Sequence, residues 1–237
     1  MLDPRPTVEC QGLTRVFSDG DGEVHALRDV DLTVGRGEFV ALMGASGSGK
    51  STLLNIVAGI DEATSGSVQV LGVDLGAASL TRRADLRLKQ VGYVFQNINL
   101  LPDLSLLENV TLPLEAAGGV RGGQAARQAL DRLELVGVAH LARRYPGEVS
   151  GGERQRAAIA RAIVGDRRLL LADEPTGALD SETGAVVLRT IRAVCDDGVT
   201  ALVSTHNPLV GNAADRVVRL RDGRVVAHDT ESTGEGA

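Results

Sequence analysis

The order of apolar and polar positions along the chain predicts an α/β fold in which strands alternate with helices. Near the N-terminus, short apolar stretches separated by Asp- and Gly-rich turns predict an antiparallel sheet. Its expected strands are 8–16, 23–27 and 30–34. Longer apolar blocks predict buried core strands at 38–43, 91–96, 168–173 and 200–204. Two short strands are expected within 66–73, and the last two strands, 216–220 and 224–227, turn at Asp222 and Gly223.

Helical periodicity dominates between the predicted core strands. The helices expected from it are 53–58, 80–90, 106–116, 124–136, 150–164 and 179–195. One of these, 124–136, is expected to turn inward an apolar face formed by Ala126, Leu130, Leu133 and Val136. Gly137 is expected to end that helix. Because residues 97 to about 160 are helical in character, they predict a helical subdomain inserted between core strands, whereas the polar tail 229–237 is expected to be disordered.

A glycine-rich segment at 44–52 fits the pattern G-x-x-x-x-G-K-[ST] of a loop that wraps the phosphates of a nucleotide. It joins an apolar strand to the start of a helix, as this chemistry requires. The glycines let backbone N–H groups converge, and the helix N-terminus adds partial positive charge. The predicted phosphate-binding residues are Gly44, Ser46, Gly47, Ser48, Gly49, Lys50, Ser51 and Thr52. The alternative, a glycine-rich turn with an incidental lysine, is disfavoured by the flanking elements.

Lysine is rare in this chain, which has Lys50 and Lys89 and otherwise uses arginine. A compact ammonium at position 50 can sit between the β- and γ-phosphates as a point charge. The neighbouring hydroxyl of Ser51 is expected to bind Mg²⁺. The segment therefore predicts a nucleotide triphosphate site with magnesium.

Two adjacent acids, Asp173 and Glu174, follow the apolar strand at 168–173. A nucleotide site needs such groups beside its phosphate loop, one to bind Mg²⁺ and one to polarise the attacking water. Since neighbouring strand residues face opposite ways, we expect different roles, with Asp173 on the metal and Glu174 on the water. The alternative is an acidic N-cap region for the next helix.

Three further side chains give weaker signals. Gln96 ends a predicted parallel strand and is expected at the carboxyl edge of the sheet, where open α/β folds bind ligands. His206 follows another core strand and is able to donate a hydrogen bond to a γ-phosphate, although a lone His is more often a plain surface residue. Phe17 is one of five aromatic residues in the chain and precedes a polar turn. There it is either a ring that stacks on a base or an ordinary edge-strand residue.

Ser150, Gly151, Gly152 and Glu153 open the predicted helix at 150–164. Ser150 as N-cap with Glu153 three residues later forms a capping box. Two glycines in a first turn reduce helix stability by roughly 1 kcal/mol each if placed in the interior. We therefore expect them to permit close approach of another backbone or of a phosphate to the helix N-terminus.

Composition limits the range of functions. The 237 residues include 43% hydrophobic residues, which suffices for one large domain or a domain with a subdomain. We expect no apolar run of the ~20 residues needed to cross a bilayer and no signal peptide, and hence a cytosolic chain unless a partner holds it to a membrane. A net charge of −6 argues against nucleic acid. Cys10 and Cys195 are too few and too far apart for a metal cluster.

These motifs together resemble the nucleotide-binding subunit of an ATP-binding cassette (ABC) transporter, over about residues 7–228. The resemblance implies a P-loop NTPase (RecA-like) parallel-sheet core with an N-terminal antiparallel β-subdomain and an inserted helical subdomain. In this family the segment at 44–52 matches the Walker A loop, and Phe17 matches the aromatic residue that stacks on adenine. Gln96 matches the Q-loop, whose side chain lies near the metal.

The remaining motifs of the family follow in order. Asp173 and Glu174 match the Walker B magnesium ligand and general base, Asp180 matches the D-loop, and His206 matches the switch histidine. Ser150 to Glu153 match the family signature. The resemblance implies that two copies sandwich two ATP molecules, each signature completing the opposite site, and that the helical insert docks a transmembrane permease at the cytoplasmic face of the membrane.

The amino-acid sequences of the segments at 99–102, 108–110 and 172–177 most resemble those of one branch of the family, the lipoprotein-release, macrolide-export and cell-division ATPases (LolD, MacB and FtsE types). Three hypotheses follow from the resemblance. The favoured one is an ATP hydrolase that energises a permease for export or for extraction from the membrane. The second is a division-type adaptor that gates an extracytoplasmic enzyme without transport. The third, a soluble cassette of DNA repair or translation, is disfavoured by the acidic charge and by the lack of coiled-coil insertions.

Overall fold

A computed structural model describes residues 5–19 and 22–230 of the chain. Within them lie ten strands and seven α-helices, with short 3₁₀ helices at Ala139–Leu141 and Pro146–Glu148. The strands are β1 Val8–Asp19, β2 Gly22–Val34, β3 Phe39–Met43, β4 Ser65–Val70, β5 Val73–Asp74, β6 Val91–Val94, β7 Leu169–Asp173, β8 Thr200–Thr205, β9 Arg216–Arg221 and β10 Arg224–Thr230. The helices are α1 Lys50–Val57, α2 Leu80–Lys89, α3 Leu106–Ala116, α4 Gly122–Leu135, α5 Gly151–Ile163, α6 Ser181–Asp196 and α7 Pro208–Ala213.

The strands form two sheets. The smaller sheet is antiparallel, in the order β2-β1-β4-β5, and the larger has the order β10-β9-β3-β8-β7-β6. In the larger sheet all neighbouring strands pair in parallel except β10, which pairs antiparallel with β9. The predicted α/β architecture, with an antiparallel N-terminal sheet and a parallel core, is therefore confirmed.

The larger sheet is buried on both faces, because its alternate residues enter two different cores. Phe39 and Ala41 of β3 pack with the buried residues of α3 to α6, whereas Val40 and Leu42 pack with α1 and the smaller sheet. Leu169 and Leu171 of β7 also belong to the second core. Strand alternation therefore places Asp173, two residues after Leu171, on the face of the sheet that carries α1.

Several predicted boundaries were wrong. The pieces 23–27 and 30–34 form one strand, β2, which passes through Asp29 with a left-handed φ of 53°. Leu133 and Val136 of the predicted inner face of α4 are buried, as expected. Its other two positions were wrong by one residue, because Ala125 and Ala129 are buried in place of Ala126 and Leu130, and Leu130 is 39% exposed. Neighbouring alanines at 125 and 126 made the apolar stripe ambiguous in this half of the helix.

The C-terminal end also differs from the prediction. Helix α7 was not predicted, and β10 continues to Thr230, so the first two residues of the expected disordered tail are part of a strand. Residues 231–237 of that tail lie outside the described residues, as do Gly20 and Asp21 of the predicted N-terminal turn. Among the helices that the structure describes, none combines the length and apolar character needed to span a bilayer.

Candidate functional site: a phosphate loop facing two carboxylates

The glycine-rich loop connects the end of β3 to the start of α1, as predicted. Gly49 is the N-cap of α1 and has a left-handed φ of 104°, and Gly47 also has a positive φ of 78°. A Cβ atom on Gly44 would lie 2.3 Å from the carbonyl oxygen of Leu220, and one on Gly49 would lie 2.3 Å from that of Ala26. Glycine is thus required at these positions by conformation and by close packing.

The N-terminus of α1 is open to an anion. Its N-cap, Gly49, has no side chain to accept hydrogen bonds from the first turn, so those N–H groups are available to a ligand. Ser48 is buried, and its Oγ atom has no hydrogen-bond partner among the described residues. An unsatisfied buried hydroxyl in a glycine-rich loop at a helix N-terminus fits a phosphate-binding loop.

Lys50 lies across this loop and is only 7% exposed. Its Nζ atom donates hydrogen bonds to the carbonyl oxygens of Gly44 and Ala45, at 2.8 and 3.0 Å. The same atom lies 3.7 Å from Oε1 of Glu174. The ammonium is therefore held between the loop and the carboxylate that faces it.

Asp173 and Glu174 lie at the carboxyl end of β7, each with a different set of partners. The hydroxyl of Ser204, on the adjacent strand β8, donates a hydrogen bond to Oδ1 of Asp173. Glu174 has a left-handed φ of 48°, and its N–H bonds the carbonyl oxygen of Ser204 at 3.1 Å. This backbone conformation is strained for a residue other than glycine.

The strain at Glu174 changes the geometry predicted from strand alternation. Alternation holds only within the strand, which ends at Asp173, and both carboxylates line the same cavity. The two acids do differ in their surroundings, because Asp173 is bonded to Ser204 whereas Glu174 faces Lys50 and His206. Nδ1 of His206 lies 2.9 Å from Oε2 of Glu174, while most of the imidazole remains exposed.

A cavity of about 540 Å³ brings most of the predicted residues together. The lining residues that the sequence had predicted for the site are Ser46, Gly47, Gly49, Lys50, Ser51, Thr52, Gln96, Asp173, Glu174 and His206. Gly44 and Ser48 line an adjoining cavity of about 470 Å³, which shares Ser46, Gly47 and His206 with the first. The carboxyl ends of parallel strands meet at this edge, which explains why residues so distant in sequence converge.

Oxygen ligands suitable for Mg²⁺ lie in the cavity. Ser51, Gln96 and Asp173 offer a hydroxyl, an amide oxygen and a carboxylate. Within the described part of the chain, no group of three or more His, Cys, Asp or Glu side chains is arranged to hold a metal. Mg²⁺ is commonly bound through one or two carboxylates together with phosphate oxygens and water, so this sparse ligand set fits it.

Some residues of the site were missed by sequence reasoning. Val24, His25 and Ala26 of β2 form one wall of the cavity, and no local pattern in the sequence indicated this. Ser204 was read only as a strand residue, although it bonds both Asp173 and the backbone of Glu174. A signal for Ser204 existed, since a polar residue at the end of a buried strand requires a partner.

Phe17 does not line the cavity, but it lies close to one wall. It pairs with Val24 across the β1–β2 ladder, and Val24 is a lining residue. The guanidinium carbon of Arg15 lies 4.3 Å from the centre of the Phe17 ring, and Arg15 is itself paired with Asp61 at 2.8 Å. One face of the ring is therefore occupied by a cation–π contact.

The signature segment lies outside the cavity. Ser150 caps α5, and Glu153 completes the predicted capping box, with its carboxylate 2.7 Å from the N–H of Ser150. Hydrogen bonds from the backbone and then the side chain of Ser150 lower the pKa of Glu153. Asp180 similarly caps α6 and accepts from Thr183, which lowers the pKa of Asp180. Neither cap is among the described residues that line the 540 Å³ cavity.

The second glycine of the signature has a packing role that the sequence did not indicate. A Cβ atom on Gly152 would lie 2.0 Å from Cγ2 of Thr183, so this glycine lets α5 approach α6. A Cβ atom on Gly151 would instead meet Leu179 at 3.5 Å, an ordinary contact. That both glycines admit an approaching ligand stays a prediction, and for Gly152 the structure adds a second requirement, the close contact of α5 with α6.

We expect the substitution Gly152→Ala to destabilise the protein. Thr183 cannot rotate away freely, because it is β-branched and its hydroxyl bonds Asp180 at 2.7 Å. Overpacking of this kind costs about 1–3 kcal/mol, which exceeds the helix-propensity gain of about 1 kcal/mol. Urea unfolding measures the difference, and Gly151→Ala serves as the matched control. Addition of Thr183→Ser, which removes Cγ2 but keeps the hydroxyl, should restore stability, and no such rescue would count against the proposed clash.

The fold and this site define a P-loop ATPase of the cassette type. A model of the family described as ABC transporter matches residues 27–177. The chain belongs to the ABC transporter family. This also confirms the resemblance seen in the sequence motifs.

Individual relatives agree with this assignment. The macrolide export ATP-binding/permease protein MacB 1/2 of Paracoccus denitrificans is 43% identical over 94% of this chain and 33% of its own length. The macrolide export ATP-binding/permease protein MacB of Rhodopseudomonas palustris strain BisB18 is 44% identical over 97% of this chain and 35% of its own length. The chain therefore spans about a third of the length of the curated relatives it matches.

A solved structure has the same fold. The dimeric structure of MJ0796, a bacterial ABC transporter cassette, superimposes with a TM-score of 0.87 at 36% identity, covering 94% of this chain and 98% of that one. A second dimeric structure of the same cassette, in a post-hydrolysis state bound to ADP and Pi, matches equally well.

Proposed function

We propose that this chain is the ATP-binding and ATP-hydrolysing subunit that energises a membrane permease, for export or for extraction from the membrane, through ATP-driven dimerisation. One observation carries the proposal. Lys50, Glu174 and His206 form a continuous polar chain across a phosphate loop, with Nζ–Oε1 and Nδ1–Oε2 distances of 3.7 and 2.9 Å. An ammonium, a carboxylate and an imidazole in this order suit phosphate binding, water activation and proton handling.

Each group of the chain has a distinct task in this proposal. The loop amides and Lys50 hold the phosphates, and Glu174 orients and polarises the attacking water. Nδ1 of His206 contacts Oε2 of Glu174 at 2.9 Å and so holds Glu174 in place. The attacking water contacts the same carboxylate oxygen. The strained backbone of Glu174 aims its carboxylate along the loop rather than into the sheet.

Magnesium binding is assigned to Ser51, Gln96 and Asp173. When bound, Mg²⁺ neutralises charge on the β- and γ-phosphates. The hydrogen bond from Ser204 keeps the Asp173 carboxylate oriented toward the cavity. Orientation of a metal ligand by a neighbouring hydrogen-bond donor of this kind typically contributes about 10–100-fold to metal affinity.

The adenine end of the nucleotide is assigned to Phe17. Its ring has one face on Arg15, which leaves the opposite face for stacking on a base. The adjoining wall from β2 then borders the ribose and phosphates. This assignment rests on proximity to the cavity through Val24.

Dimerisation follows from the location of the signature. Ser150, Gly151, Gly152 and Glu153, together with Asp180, lie outside the cavity that holds the other predicted residues. The N-terminus of a helix such as α5 is able to bind phosphate, and in a dimer the α5 N-terminus of one copy would face the phosphates bound to the other copy. We infer that each copy supplies these residues to the site of the other, in a two-fold symmetric sandwich. The structure of MJ0796, which has the same fold, is described as dimeric, and this supports the proposal.

A transmembrane permease is the proposed partner, and the cytoplasmic face of the membrane is the proposed location. The relatives of this chain are described as ATP-binding/permease proteins, and this chain matches about a third of their length. Affinity purification from native membranes in mild detergent should recover a polytopic membrane protein with this chain. Recovery of soluble partners alone would contradict the proposal, as would tight binding to nucleic acid despite the net charge of −6.

A complementation experiment tests the shared site. Lys50→Ala damages the loop, whereas Gly151→Asp places a negative charge at the first position of α5, where the monomer tolerates it. Each variant alone should be inactive. In a mixed dimer, the intact loop of one chain meets the intact α5 of the other, so mixing should restore roughly a quarter of the wild-type sites.

The outcome is measured as Mg-ATP hydrolysis, with light scattering to follow the dimer. Gly151→Ala is the control, because it adds a Cβ atom without charge. If mixing restores no activity although both variants are folded, the composite site is wrong. If the Gly151→Asp chain alone hydrolyses ATP at the wild-type rate, the signature does not face a phosphate.

A further inference from the structure

The segment that carries Gln96 is attached to the rest of the molecule on both sides. On its N-terminal side, the Phe95 ring stacks on Tyr93, with ring centres 4.2 Å apart and an interplanar angle of 25°. The Tyr93 hydroxyl donates a hydrogen bond to Oδ1 of Asn55 at 3.0 Å. Asn55 belongs to α1, the helix that begins at the phosphate loop. One end of the Gln96 segment is therefore connected to the loop helix.

On its C-terminal side, the segment is held by one arginine. Nη1 of Arg161 donates to the carbonyl oxygen of Asn99 at 2.7 Å, and Nη2 lies 3.3 Å from that of Ile98. Asn99 has a left-handed φ of 49°. The planar guanidinium thus holds two consecutive carbonyls in a turn that immediately follows Gln96.

Within residues 5–19 and 22–230, no ion pair with a carboxylate accounts for the position of Arg161. Its recorded hydrogen bonds go to main-chain carbonyls, and burial alone lowers the pKa of its guanidinium. A partly buried cation without a carboxylate is a poor way to gain stability, since desolvation opposes it. What such an arrangement does provide is a fixed backbone position.

We propose that Arg161 is a positioning residue for ATP hydrolysis, which ties the Gln96 segment to α5. This inference rests on the proposed function, since it assumes that Gln96 acts in the site. Arg161 lies in the same helix as Gly151 and is separated from it by about 15 Å along the helix axis, at a rise of about 1.5 Å per residue. Because a helix is rigid over this length, movement of the signature end of α5 is transmitted through Arg161 to Gln96.

The kinetic consequence is a change in kcat rather than in KM. The loop and Lys50 grip the nucleotide, and neither contacts Arg161 among the recorded bonds. Releasing the two carbonyls leaves that grip intact but frees the Gln96 backbone. Misplacement of a group by about 1 Å costs about 100-fold in rate, so we expect kcat to fall about 10- to 100-fold with KM for Mg-ATP changed less than about threefold.

Arg161→Lys is the test variant, because it keeps the charge but replaces the planar guanidinium, whose two nitrogens reach the two carbonyls separately, with one ammonium on a shorter side chain. Arg167→Lys is the matched control. Arg167 is also partly buried, its pKa is lowered to about 10 by burial and by the nearby charge of Arg161, and it donates to the carbonyls of Val164, Leu88 and, at 3.4 Å, Val91 at the start of β6. Both substitutions weaken a carbonyl clamp, but only Arg161→Lys releases the carbonyls of residues 98 and 99, which follow Gln96.

A second readout does not depend on activity. The chain contains no tryptophan, so Asn97→Trp places a single fluorescent reporter at an exposed position next to Gln96. Nanosecond anisotropy of this reporter should fall when Arg161→Lys is added and should stay unchanged with Arg167→Lys. If Arg161→Lys does not fold, Arg161→Gln, which retains one donor, takes its place in both measurements.

The outcomes separate this inference from the proposed function. Equal kcat and equal anisotropy for the Arg161 and Arg167 variants would overturn the role of Arg161, even if the wild type hydrolyses ATP normally. Absence of Mg-ATP hydrolysis by the wild type would instead reject the proposed function, and the anisotropy comparison would still test the attachment. Lower anisotropy together with a selective loss of kcat supports the inference.

Discussion

The Glu174→Gln protein should bind Mg-ATP normally but hydrolyse it at least about 100-fold more slowly, because a general base contributes typically about 10²–10⁴-fold. Glutamine keeps the shape of the side chain and its position between Lys50 and His206. It removes the negative charge that lies 3.7 Å from the Lys50 ammonium and 2.9 Å from the His206 imidazole. The amide is therefore able to fill the site but not to polarise water.

This variant should also accumulate as a dimer in the presence of Mg-ATP, since the nucleotide that joins the two copies is not consumed. Steady-state hydrolysis and light scattering measure the two effects. Glu134→Gln, an exposed carboxylate on α4, is the control and should behave as the wild type. Hydrolysis by Glu174→Gln at the wild-type rate would show that another group activates the water.

The Lys50→Ala protein should lose most of its affinity for Mg-ATP. Hydrogen bonds to charged groups contribute about 1.5–3 kcal/mol each, so loss of the ammonium should weaken binding about 10- to 100-fold. The substitution also removes the Nζ donor from the carbonyl oxygens of Gly44 and Ala45, of which Ala45 keeps the N–H of Ser48 at 3.2 Å, and it removes the cation that faces Glu174. The loop should consequently be less well ordered, and hydrolysis should fall with binding.

Calorimetric titration with Mg-ATP measures this loss directly. The chain offers a matched control in its second lysine, Lys89, which pairs with Asp85 on the surface of α2 at 2.6 Å. Lys89→Ala removes the same charge without touching the loop and should leave the affinity unchanged. Equal affinities of the Lys50→Ala and wild-type proteins would mean that the cavity is not a phosphate site.

Local sequence carried a large part of this interpretation. Three local features carried it: the glycine spacing at 44–52, the apolar strand before it, and the two adjacent acids at the end of β7. Each reflects a requirement that neighbouring residues alone satisfy, namely a loop that bends or a strand that ends at a ligand. The capping box of Ser150 and Glu153 was predicted for the same reason, because both partners lie within one helical turn.

Features that depend on distant residues were not predictable in this way. The first half of the apolar stripe of α4 was predicted one residue too late, since the local pattern does not contain the helices against which Ala125 and Ala129 pack. The packing role of Gly152 required the position of Thr183 on α6, and the contribution of β2 to the cavity required the two sheets to be placed against each other.

The sequence by itself determined the class of chemistry, because a phosphate loop and its paired acids are short segments whose residue types and spacing follow from the ligand. Only the tertiary structure decided how those segments meet. Ser204 beside Asp173, the left-handed turn that aims Glu174 at Lys50, and the Arg161 clamp after Gln96 all join residues from separate elements. Such contacts are set by the packing of strands and helices, and packing is a property of the whole chain rather than of any one segment.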